Sequence, residues 1–227
     1  MTSAFSAYKL NEYSFIKSCP CSRRCTINKK RKENDKYHRI LEAAIKTFAE
    51  NGFFQSTIAQ IAKEAGVADG TIYLYFKNKD DILVQFFNFK TKQVFGRFRE
   101  EVDKTEDAID KLRNLIRRHL EEFQADRNMA ILYQSETHQR TRMVEDQIRE
   151  MSDMYLGIVT EIVEQGQAQG RIRKDLYLSL VKRFILGAVD EVINTWLHSG
   201  GEYDLVSMTD PLVSLFIHGI GSTETKL

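Results

Sequence analysis

Between Val102 and Pro211 the chain contains no proline and few glycines. Proline removes a backbone donor and clashes with the preceding turn, and glycine costs a helix about 1 kcal/mol against alanine. Such a stretch is free to run as long helices, and its apolar residues fall at the matching spacing. Ala108, Leu112, Leu115, Ile116, Leu120 and Phe123 mark one helix, Met129 to Tyr133 a short one, and Met151, Met154, Tyr155, Ile158 and Ile162 a third that Gly166 or Gly170 ends. Leu176 to Leu197 gives a fourth. Leu212 to Ile220 gives a fifth with Pro211 at its start, a position where the missing N–H is no loss. No stretch shows sustained alternation of β-branched residues, so no sheet is expected and the fold class is all-α.

Upstream, Thr57 to Phe76 reads TIAQIAKEAGVADGTIYLYF. Ile58, Ile61, Ala62 and Ala65 form one apolar stripe on a short helix, which Gly66 closes by accepting left-handed backbone geometry. Val67 then drops into the angle between two helices. In the next segment Ile72 and Phe76 face inward, leaving Asp69, Gly70, Thr71, Tyr73 and Tyr75 outside. The pattern is a helix-turn-helix whose second helix is shaped to enter a DNA major groove. Before it, Leu41, Ala44, Ile45 and Phe48 stripe a first helix that Asn51-Gly52 stops, with Phe53 and Phe54 filling the space beneath, and Ser56 or Thr57 caps the second helix. Asn78 to Asp81 opens a fourth helix, apolar round much of its girth through Ile82, Phe86, Phe89 and Val94 to about Arg99, so it is shared between the reading head and the body.

The run AKEAGVADGTIYLYFKNKDDIL resembles the signature of the TetR family of bacterial repressors, in which an apolar-Ala-x-x-x-Gly-Val run leads through Gly-Thr-hydrophobic-Tyr to Tyr-Phe-Lys. The resemblance covers roughly Lys36 to Phe89. It implies base contacts from Thr71 and Tyr73 and phosphate contacts from Thr57, Tyr75 and Lys79, with Asp69, Gly70 and Lys77 in the same interface. One position departs from the family pattern: Ala68 stands where a small hydroxyl residue is usual, and Asp69 is expected to cap in its place. Together with GAVDEVINTW and the following EYDLV, the segment VADGTIYLYFKNKDDIL is similar to the TetR-type repressors of fatty-acid degradation, whose members bind long-chain acyl-CoA.

The formal charge of +1 is too small for a protein that coats DNA indiscriminately, so its charge has to be local. Residues 1–35 carry eight Lys or Arg against three acids, and the remaining 192 residues sum to −4. Residues 1–34 lack a sustained period, and Pro20 and the run Lys29-Lys30-Arg31-Lys32 point to a flexible basic tail, which is either an arm able to tether phosphates, a tail without a role, or residues included by a start site placed too early. Cys19, Cys21 and Cys25 lie in that tail without a known zinc spacing, and no cysteine follows, as expected of a cytoplasmic chain without disulfides. Residues 35–80 are expected to form the three-helix helix-turn-helix DNA-binding domain. Residues 81–222 are expected to form a larger helical bundle for ligand binding and dimerisation, with no membrane span.

Leu180 to Leu197 carries hydrophobes round most of the helix, and Val213, Phe216 and Ile217 repeat the pattern. Helices like these need cover on two sides, and a second copy of the chain is the simplest source. Ile185, Val189, Val192, Trp196, Phe216 and Ile217 are the expected homodimer interface, and pairing sets two reading heads against a pseudo-palindromic operator.

His38, His119, His138, His198 and His218 are scattered, and neither a phosphate loop nor a nucleophile elbow is present, so no catalysis, metal or cofactor is expected. Asp190 and Glu191 sit in an apolar helix, where they either orient a ligand group or answer a neighbouring arginine or helix N-terminus. A small-molecule effector fits better. Phe123, Tyr133, Met154, Ile158 and Phe184, with Gly187, are candidates to line its apolar part. Among the clustered Arg97, Arg99, Arg113, Arg117, Arg118, Arg140 and Arg142, the expected phosphate ligands are Arg97, Arg113 and Arg117, since guanidinium holds phosphate bidentately. Long-chain acyl-CoA is the expected effector. The alternatives are a drug-sensing repressor, which the arginines disfavour, and an architectural DNA binder, which the acidic body disfavours.

Overall fold

A computed structural model describes residues 20–139 and 143–220, with side chains described for 34–137 and 143–219. Among these residues there are nine α-helices and one 3-10 turn: α1 Pro20–Asn51, α2 Ile58–Ala65, α3 Asp69–Ile72, α4 Lys79–Val102, α5 Ala108–Ala125, α6 Arg127–Gln139, α7 Glu145–Ala168, α8 Leu178–His198, the 3-10 turn Leu205–Met208, and α9 Thr209–Ile220. None is long and apolar enough to cross a membrane. The chain divides into two compact units, Met1–His38 and Arg39–Leu227. The first holds the start of α1. The tail expected to lack structure up to residue 34 is therefore helical from Pro20; residues 1–19, with Cys19, lie outside the described residues, as do Arg140 and Arg142. Pro20 stands at the first helical position, where proline is tolerated, and the unbranched Lys and Arg that follow are good helix formers.

In the second unit the reading head is built around Ile40, Leu41, Ala44, Ile45 and Phe48 of α1, which are buried, as are Ile61, Ala62 and Ala65 of α2 and the anchors Ile72 and Phe76. Burying side chains of this size contributes about 1.5–3 kcal/mol each. Phe53 joins the core edge-on to Phe48 at 5.1 Å, whereas Phe54, expected beside it, is exposed.

α4 is buried along Ile82, Leu83, Phe86, Phe87, Val94, Phe95, Phe98 and Val102. It packs on α5 and α7, and three ion pairs fasten it there. Lys90 meets Asp126 at 2.6 Å, Arg97 holds Glu122 through two N–H donors, and Arg99 holds Glu161 in the same way. α7 ends before Gly170, whose φ of +72° makes the left-handed turn. Gly166 has another role, for a Cβ there would lie 2.6 Å from the Ile172 side chain and 3.2 Å from Ala108, so its bare backbone lets α5 and the segment after α7 close together.

Candidate DNA interface and ligand site

The turn between α2 and α3 follows from local chemistry. Thr57 Oγ1 accepts from the Gln60 N–H, and the Gln60 side chain accepts from the Thr57 N–H at 2.8 Å, a reciprocal cap on α2. At the other end Gly66 takes φ +62°, and the Val67 N–H donates back to the Ala62 carbonyl at 3.0 Å. α3 starts at Asp69 after Ala68, and no side chain caps it. Asp69 thus fails as the expected substitute cap: it lies inside the first turn, one residue too late to reach the orphan N–H groups, and contributes only its charge at the positive end of a short helix.

Tyr73 is exposed, Thr71 and Tyr75 are half-buried, and Gly70 and Lys77 are exposed, so the expected outward face is open to a groove. Leu74, 80% exposed, also stands on it, and period alone did not single it out. Ile72 and Phe76 are buried and fix this face from behind.

Lys79 is placed otherwise than expected. Its Nζ donates to the carbonyls of Phe53 at 2.6 Å, Ser56 at 2.9 Å and Phe54 at 3.2 Å, and sits 4.5 Å from the centre of the Phe53 ring. An ammonium has three N–H donors, and all three are spent on the loop between α1 and α2. Lys79 clamps that loop to the start of α4 instead of pointing at phosphate. Lys79→Met is accordingly expected to destabilise the head by about 2 kcal/mol, the scale of lost charged hydrogen bonds. The salt dependence of operator binding is expected to stay unchanged, which thermal melting and binding titrations at several salt concentrations measure. Unchanged melting with a salt slope lowered by about one would return Lys79 to the phosphates.

Among the expected ligand residues, Phe123, Tyr133 and Ile158 are buried in the bundle, but Met154 and Phe184 are exposed and Gly187 faces outward. The exposed Phe184 of α8 stacks edge-on against the buried Phe216 of α9 at 5.7 Å. The arginines are engaged. Arg97 and Arg118 converge on Glu122, Arg113 pairs with Asp110 and Asp210, and Arg117 donates to Asn114 at 2.7 Å.

The bundle core holds a group that spacing did not reveal. His119 of α5 lies 5.0 Å from the Phe123 ring and 5.0 Å from the Tyr155 ring of α7, and Phe98 of α4 lies 5.5 Å from His119 and 6.0 Å from Tyr155. Phe123 continues to Tyr133 of α6 at 5.3 Å. Burial holds His119 down at about 3, so its imidazole is neutral at ordinary pH. Burial also raises the phenols of Tyr133 and Tyr155, and the nearby Asp190 carboxylate of α8 adds to that, so both stay protonated. The Tyr155 hydroxyl and His119 Nδ1 have no hydrogen-bond partner, each at a cost of roughly 1–3 kcal/mol. His119 falls on the stripe Leu112, Leu115, Ile116, Leu120, Phe123, and that position was the available signal.

The expected interface residues Ile185, Val189, Trp196, Phe216 and Ile217 are buried within the protomer itself, and Val192 is half-buried. A helix apolar all round does not declare which side meets its own core. The large apolar residues left in the open here are Tyr177 just before α8, Leu180 and Phe184 of α8, and Leu215 of α9.

Known proteins share this fold. Residues 40–86 match the family model described as bacterial regulatory proteins, tetR family, and residues 87–219 match that of the YsiA-like protein C-terminal region. The chain belongs to the TetR family. It shares 38% identity over 190 residues with the fatty acid metabolism regulator protein of Bacillus subtilis, covering 84% of this chain and 98% of that one. The crystal structure of the transcriptional regulator FadR from Bacillus subtilis in complex with stearoyl-CoA aligns at a TM-score of 0.75 and 39% identity, over 81% of this chain and 99% of that one. The fatty acid degradation regulator FadR from Bacillus halodurans aligns at 0.76 and 34%, over 84% and 97%. A TetR-family chain is a regulator that reads DNA through its helix-turn-helix, not an enzyme. This one begins its family match at residue 40, so the basic start of α1 precedes it.

Proposed function

We propose that the protein is a repressor of fatty-acid degradation genes, bound to its operator as a dimer and released by long-chain acyl-CoA. The observation that carries this reading is the likeness, along nearly the whole of the relative's length, to a regulator crystallised with stearoyl-CoA. The bundle supplies fitting chemistry. Phe98, Phe123, Tyr133 and Ile158 form an apolar core about the buried His119 and Tyr155, and each methylene of an acyl chain placed there contributes about 0.8 kcal/mol. Phosphates would have to compete with carboxylates for Arg97, Arg113 and Arg117.

Pairing is assigned to the exposed apolar residues Leu180, Phe184 and Leu215, with the buried Ile185, Val189 and Trp196 supporting them from behind. Bases are assigned to Thr71 and Tyr73, and phosphates to Thr57, Tyr75 and Lys77. Ligand binding reaches the head through α4, which is fastened to α5 and α7 by ion pairs and begins at the head itself. A tenfold loss of operator affinity needs only ~1.4 kcal/mol of coupling.

The test is a fluorescence-anisotropy titration of operator-bound protein with palmitoyl-CoA, free palmitate and free CoA. Release by palmitoyl-CoA alone is the expected result. Release by palmitate equally well removes the arginines from the reading, and release by none of the three removes the effector.

A further inference from the structure

The His119 and Tyr155 side chains are each more than nine-tenths buried, they come from different helices, and their rings stand 5.0 Å apart. Tyr155 offers an O–H and His119 a ring nitrogen, and neither atom has a partner. Two buried, unpartnered polar atoms on neighbouring rings beside Phe98 and Phe123 fit a place completed by something that accepts hydrogen bonds. Burial keeps the phenol protonated, and the Asp190 carboxylate, which acts on both Tyr133 and Tyr155, adds to that and makes a second anion there unwelcome. A neutral acceptor is what the site can take.

Resting on the function proposed above, the geometry points to the thioester carbonyl of the acyl-CoA as that acceptor. The methylenes of the chain have no acceptor to offer, and the carbonyl oxygen is the neutral acceptor at the join between apolar chain and polar carrier. Along α5, Arg117 and Arg118 stand part-exposed immediately before His119, and Phe123 lies one turn beyond it. The carrier therefore leaves past guanidinium groups and the chain runs on into the aromatic core. Tyr155 donates its O–H to the carbonyl oxygen, and the neutral His119 donates from Nδ1 in the tautomer that carries its proton there. The pair distinguishes a thioester from a molecule of the same length without the carbonyl.

The test compares palmitoyl-CoA with S-hexadecyl-CoA, whose thioether has a methylene where the thioester has its carbonyl. Dissociation constants are measured by calorimetry on the full chain. Wild-type protein is expected to prefer the thioester by about tenfold, the worth of one good hydrogen bond. In Tyr155→Phe that preference is expected to shrink to a few-fold, the part His119 still supplies, because thioester binding falls towards the thioether level while thioether binding holds. Melting of the free protein is expected to stay level or rise, since the variant removes an unpaired hydroxyl and keeps the ring. His119→Phe is expected to reduce the preference in the same direction. Equal binding of both compounds by wild type overturns the inference and leaves the proposed function standing, as does an equal loss of both in Tyr155→Phe. Binding of neither compound by wild type overturns the proposed function and this inference with it.

Discussion

Trp196→Ala is expected to lose about 3–5 kcal/mol of stability, the usual range for emptying a buried tryptophan site, and with it roughly 8–15 °C in melting temperature. The indole is 3% exposed. Its N–H donates to the Tyr203 carbonyl at 2.9 Å, and the Arg127 guanidinium lies 5.9 Å from the ring while reaching the Gly200 carbonyl at 2.7 Å. One side chain thus holds the end of α8, the glycine turn after it and the start of α6 together. Truncation opens a cavity and strands the Tyr203 carbonyl, so the loss falls on the protomer's own fold. Phe184→Asp, on the outer face, is the contrasting variant: its protomer is expected to melt nearly as wild type while sedimenting as a monomer. Urea unfolding and sedimentation of both proteins decide the matter. A Trp196→Ala chain that melts normally but no longer pairs would put the indole in the interface after all.

Glu122→Ala is expected to cost about 2–3 kcal/mol. Breaking a buried ion pair costs about 3–5 kcal/mol because the remaining charge is left without its partner, and the figure is reduced here by the part-exposure of both arginines. Arg97 and Arg118 would then face each other with no carboxylate between them. The double variant Arg97→Leu with Glu122→Leu is expected to lose less than the sum of its single changes, since it removes the stranded charge along with the pair. Urea unfolding of the singles and the double measures this. A Glu122→Ala chain as stable as wild type would show that the carboxylate does not bind α4 to α5.

The reading head was legible because its signals are local. A capping box three residues apart, a glycine at the end of a stripe and a four-residue spacing of anchors all act within one turn of chain. The role of Lys79 was hidden because its acceptors are backbone carbonyls, which every residue has and no residue type announces. The ion pairs of the arginines were hidden for a related reason. Glu122 is 25 residues from Arg97, and Asp210 is 97 from Arg113, so the partners that neutralise them appear only once the helices pack. For α8 the hydrophobic circumference gave the need for two covers but not their order. Ile185, Val189 and Trp196 turned out to face the protomer's core, with Leu180 and Phe184 outside.

The spacing of the fastenings on α4 sets how far a small disturbance travels. Lys90 and Arg97 are seven residues apart, or about 10 Å at 1.5 Å per residue, and Lys79 lies about 16 Å beyond Lys90 in the other direction. With Asp126 holding Lys90 as a fulcrum, α4 is a beam with unequal arms. A sideways shift of ~1 Å where Arg97 meets α5 becomes roughly 1.6 Å at Lys79. Lys79 is bonded to the loop before α2, so a displacement of that end of α4 would meet the loop first. The gain is fixed by which two residues of one helix carry the charges, and moving the fulcrum by a single turn would change it.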